Sequence, residues 1–138
     1  MGGKYGEPIH GILHSTDASS GVAVPIFKLG SVSAYTLEAH EYIEITAIEI
    51  VTVAGGDCYV LIGDDATLGT GETVVRGTFA ANGGIARDDI CHAGKAGQSA
   101  YLVAPVGVVD VKFAGVIRRE GDNTSVRPGW KESQLGQG

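Results

Sequence analysis

This chain has little that marks a membrane protein, a nucleic-acid binder or an enzyme. Its apolar runs last only a few residues, far short of the ~20 that a helix needs to cross a bilayer. No cluster of lysine and arginine offsets a formal net charge of −6, set by 16 acidic against 10 basic residues. That balance repels a phosphate backbone, so direct nucleic-acid binding is not expected. The opening residues Met1-Gly2-Gly3-Lys4-Tyr5-Gly6 hold no apolar signal core, and glycine at position 6 departs from the myristoylation pattern. The expectation is a soluble protein made in a cytoplasm. Only two cysteines occur, Cys58 and Cys91, without CxxC spacing. In a reducing compartment they are expected as small hydrophobes, although separation along the chain leaves a disulfide between them open.

Catalytic signatures are missing as well. No serine sits in a GxSxG elbow. Gly69-Thr70-Gly71-Glu72 has the glycines of a phosphate loop without its Gly-Lys-Ser/Thr end, and it opens a strand instead of a helix. His10 and His14 are four apart, as zinc ligands on a helix are, yet Pro8 and Gly11 argue against a helix and no HExxH glutamate accompanies them. Cys91 and His92 would complete a metal cluster only if folding carried them to that pair. Asp64 and Asp65, with Thr67, Thr70 and Glu72, offer hard oxygens to calcium but lack the alternating ligands and final glutamate of an EF-hand loop. A protein without a metal or organic cofactor, and not an enzyme, is expected.

What the sequence does have is alternation, over a length of 138 residues that suits one domain. Val109, Val111, Phe113 and Ile117 alternate with Asp110, Lys112 and Arg118 at the period of a half-buried strand. From Tyr42 to Val53 the phase changes: Ile43, Ile45 and Ala47 share one face, then Ile48 and Ile50 take the other, which calls for a β-bulge or a passage between sheets near Ala47. Ala54-Gly55-Gly56-Asp57 reads as a hairpin turn into the run from Cys58 to Ile62. Further strand-like runs are expected at 22–29, where Pro25 demands an edge or a bulge, and at 32–37. Residues 85–97 read as a long loop or a short helical turn. About eight strands at this rhythm, 22 glycines for turns and no helical period of ordinary length point to an all-β, two-sheet antiparallel sandwich of jelly-roll type.

The ends read differently. Residues 1–20 are expected as a polar N-terminal arm, 21–119 as the sandwich, and 120–138 as an extended C-terminal tail. That tail holds the sole tryptophan, Trp130, between Arg127 and Lys131; tryptophan and arginine are favoured interface anchors, so these three are the candidate partner-binding residues. Asn123-Thr124-Ser125 matches a glycosylation acceptor, which has meaning only after a signal peptide. Edge strands and outward Tyr59 and Leu61 beside Val60 predict a homo-oligomer, with a trimer expected.

Ile62-Gly63-Asp64-Asp65, the stretch from Gly71 through Thr78-Phe79 to Asn82-Gly83-Gly84, and the strands at 100–105 and 108–117 together resemble small head decoration, or cement, proteins of tailed bacteriophages. The resemblance spans about 41–118 and is carried by strand rhythm and composition. It implies a β-sandwich, often trimeric, that sits on an assembled capsid lattice of major capsid protein, stabilises it, and reaches neighbours through terminal arms. The virion surface would then be its location, after synthesis in a host cytoplasm. The competing expectation is a ligand- or glycan-binding sandwich using Tyr35, Tyr42, Tyr59 and Tyr101.

Overall fold

The computed structural model describes residues 6–121, among which every regular element is a strand. In chain order these are β1 (Glu7–Ser15), β2 (Val22–Ala23), β3 (Ile26–Lys28), β4 (Glu41–Thr52), β5 (Gly56–Gly63), β6 (Glu72–Phe79), β7 (Gly83–Arg87), β8 (His92–Ala93), β9 (Ser99–Val103) and β10 (Val109–Arg119). They form two antiparallel sheets. The larger runs β3-β1-β10-β4-β7, with β8 also on β4; the smaller runs β2-β9-β5-β6. Alternation sends Ile45, Ile50, Val111 and Phe113 inward from the larger sheet to meet Val60, Ile62 and Leu102 of the smaller one. Burying a side chain of this kind contributes roughly 1.5–3 kcal/mol, which makes the two inner faces a main favourable contribution to the fold.

The phase change in β4 is a bulge. Ala47 stands opposite Ala114 and Ile45 opposite Gly115, which leaves Thr46 without a register partner. That extra residue returns Ile48 and Ile50 to the face already held by Ile43 and Ile45, and all four are buried in one core. Pro25 stands where the chain steps from β2 in one sheet to β3 in the other; both are short edge strands, as its missing N–H requires.

Several expectations are overturned. Much of the predicted N-terminal arm is a strand: β1 pairs with β10 from Glu7 opposite Ile117 to Ser15 opposite Val109. Pro8, Gly11 and two histidines disguise it, but Pro8, His10, Ile12 and His14 share the outward face while buried Ile9 and Gly11 point inward. At Gly11 a Cβ would collide with the Phe113 ring, which lies across the strand in that space. The Gly55-Gly56 turn makes no hairpin, because β4 and β5 lie in different sheets. Both glycines have positive φ, 78° and 95°, and they turn the chain over the top of the core. Residues 32–37 form no strand; Tyr35 makes a single bridge to Ile26. The 85–97 stretch, expected as a long loop or a short helical turn, holds the end of β7 and all of β8.

Leu61 is not outward-exposed but 1 % accessible. It sits at a register shift in the β5–β6 pairing, under the 64–71 loop, which folds back over the smaller sheet. Tyr59 Oη donates to Ala66 O at 3.4 Å and Tyr101 Oη to Asp64 O at 3.2 Å, tethering that loop. The apolar surface behind the trimer expectation is therefore partly internal.

Candidate functional site

Polar side chains with chemical capability gather at one end of the sandwich, where β4 meets β10 and the 88–98 segment. Cys91 Sγ donates to Glu44 Oε2 at 2.6 Å, and the other carboxylate oxygen accepts from Arg118 Nε. These two hydrogen bonds, the thiol's first, hold the Glu44 carboxyl below the usual carboxylate range. The same contact pushes the Cys91 thiol up, the opposite of what a nucleophilic cysteine needs. Cys58 is buried and desolvation raises it too; both cysteines are free thiols.

Beside this lies Glu41, a carboxylate only 8 % exposed. Its Oε1 accepts from Tyr35 Oη and from Glu38 N, both at 2.7 Å, and Arg119 Nη2 stands 3.4 Å from Oε2. Burial acts to raise this group, but the Glu38 amide, the Tyr35 hydroxyl and Arg119 outweigh burial and hold it below the ordinary value. Tyr35 in turn is pushed up to about 12, first by its bond to Glu41 and then by burial. The arrangement pins the 35–41 segment to the sheet. Nothing in the alternation pattern reveals it, since Glu41 opens β4 as an ordinary charged residue would.

The metal candidates are dispersed. His10 stacks on Phe27 with ring centroids 5.6 Å apart, and His14 Nδ1 meets Asp110 Oδ1 at 2.6 Å. β10 and β4 stand between these histidines and β8. His92 Nδ1 meets Glu72 Oε2 at 2.6 Å and so ties the larger sheet to β6 of the smaller one. Asp65 Oδ1 accepts from Thr67 N at 2.9 Å, turning the loop, while Asp64 Oδ1 faces Gln98 Nε2 at 3.4 Å. Among the described residues no group of three or more His, Cys, Asp or Glu is placed to hold a metal.

The outer faces of the two sheets differ. On the smaller, Arg76 makes a two-pronged ion pair with Asp57, at 3.2 and 2.9 Å, and lies over the Tyr59 ring, next to the folded-back loop. On the larger, Ala47, Ala86 and Ala114 form a low floor flanked by His10, Ile12 and Lys112, a shallow groove of about 540 Å³. A smaller cavity of about 240 Å³ opens between the sheets beside Tyr35, Leu37 and Gln98. The groove was discoverable in sequence as outward positions occupied by Ile12, Ala47, Val51 and Ala114, where polar residues are the usual choice. The partner-binding candidates Arg127, Trp130 and Lys131 lie outside the described residues. No family model, curated protein or solved structure matches this chain.

Proposed function

We propose that the chain is a non-enzymatic structural protein that binds the outside of an assembled phage capsid lattice and stabilises it, with its two sheets forming a jelly roll. The order β1-β10-β4-β7 over β2-β9-β5-β6 supports the jelly-roll reading, because with the short β3 and β8 set aside the chain changes sheets at every step except from β5 to β6, as two interlocked Greek keys require. One observation carries the function. Cys91, His92, His14, Glu44, Glu72 and Arg118 are each engaged in a bond that ties one strand or segment to another. Their chemistry serves assembly of the fold, and what is left free is broad surface. A lattice of many copies multiplies weak contacts into firm attachment.

The test is co-sedimentation of the purified protein with expanded shells assembled from the major capsid protein of the same genome. Binding that saturates at a fixed number of copies per shell is expected; absence of co-sedimentation overturns the proposal. Arg127, Trp130 and Lys131 are the proposed partner-facing residues. Trp130→Ala is expected to weaken attachment while leaving the thermal midpoint in place. A second reading, glycan binding, is favoured by the His10–Phe27 stack beside the groove; a positive glycan array without capsid binding selects it.

A further inference from the structure

We infer that the outer face of the larger sheet is an interface between two copies of this chain, packed face to face about a two-fold axis. Ile12, Val51 and Val53 stand 45 %, 43 % and 50 % exposed on this side. The alanine floor lies on one side of Ile12, and a second hollow over Glu49, Asp110 and Lys112 separates Ile12 from Val51, so raised apolar side chains alternate with hollows able to receive their equivalents from another copy. The other outer face offers no such relief, being occupied by the 64–71 loop and the Asp57–Arg76 pair.

Charge selects the occupant. The chain as a whole is acidic, at −6, so two copies repel unless opposite charges meet between them; on this face Asp110 is engaged by His14 Nδ1 at 2.6 Å and Asp88 stands at the edge of the groove. Lys112 and Glu49 stand opposite each other in the β10–β4 register. Both are exposed, and among the described residues neither takes part in an ion pair. A two-fold axis through the face brings Lys112 of each copy to Glu49 of the other, the self-complementarity that an isologous contact demands. From the strand lengths, the sheet covers on the order of 600 Å² in projection. Side-chain relief raises that toward the roughly 800 Å² per partner of a standard interface.

The pairing is read in solution on the purified chain, independently of any capsid. Light scattering across micromolar concentrations is expected to give twice the 14.2 kDa chain mass. Lys112→Glu and Glu49→Lys are each expected to yield monomers at concentrations where the natural chain pairs. Mixing the two variants in equal amounts should restore the pair, because their faces then carry opposite charge at both positions; contacts within one molecule cannot produce that rescue. A natural chain that stays monomeric, a mass of three chains, or variants whose mixture remains monomeric overturns the inference. Far-UV circular dichroism checks that both exposed substitutions leave the strands in place.

Discussion

Gly11 shows how a single residue misleads and then explains. In sequence it weakens a strand; in the fold it is the only residue type that leaves room for the Phe113 ring to cross β1. Gly11→Ala is expected to displace that ring and cost about 1–3 kcal/mol, seen as a lowered thermal midpoint. Tyr35→Phe tests the Glu41 network from the other direction. Losing a hydroxyl that donates to a buried carboxylate costs roughly 1.5–3 kcal/mol, measured by denaturant titration, and should loosen the 35–41 segment in hydrogen exchange. Such sites are illegible beforehand because their partners come from distant positions: Glu41 is completed by Tyr35, the Glu38 amide and Arg119, and no local spacing announces that combination.

Among the elements, legibility follows the purity of the alternation. β10 and β4 expose one polar face against one apolar face and are readable to within a residue or two, including the bulge at Thr46. β1 escapes because its outward side mixes proline, histidine and isoleucine, and its inward side includes a glycine. Pairing partners are less visible than strands. A glycine turn dictates reversal but not whether the next strand joins the same sheet, so the β4–β5 connection reads as a hairpin although it crosses the core. Leu61 fails for a related reason, since only the returning 64–71 loop covers it. Deleting Thr46 tests the bulge. Without the extra residue Ile45 still stands opposite Gly115 and Ala47 opposite Ala114, so alternation runs unbroken with Ile43, Ile45, Ile48 and Ile50 inward; the expected outcome is a folded chain that keeps its dispersed amide signals by NMR, and their loss would show that the fold needs the bulge.

For the molecule as a whole, acid is the expected weak point. Glu41 and Glu44 both titrate below their ordinary value in the fold. Their stabilisation is therefore complete above the unfolded carboxylate value of about 4.3 and is lost as pH falls through the folded values. Thermal midpoints should hold from pH 7 to 5 and decline below about pH 4; a midpoint unchanged down to pH 2 would contradict the network.

The antiparallel pairing of β1 with β10 also decides how the molecule answers force. Glu7 stands opposite Ile117, so the chain enters and leaves the described fold at the same end of one strand pair. Tension applied at those two points parts the ladder rung by rung, each hydrogen bond carrying the whole load in its turn. Tension applied between Glu7 on β1 and Val109 on β10, at opposite ends of the pair, runs along the strand axes and would have to break many rungs at once. Such a fold gives way easily when tugged at Glu7 and Ile117 and resists when the two strands are gripped at opposite ends, and single-molecule pulling from the two kinds of attachment should separate the regimes.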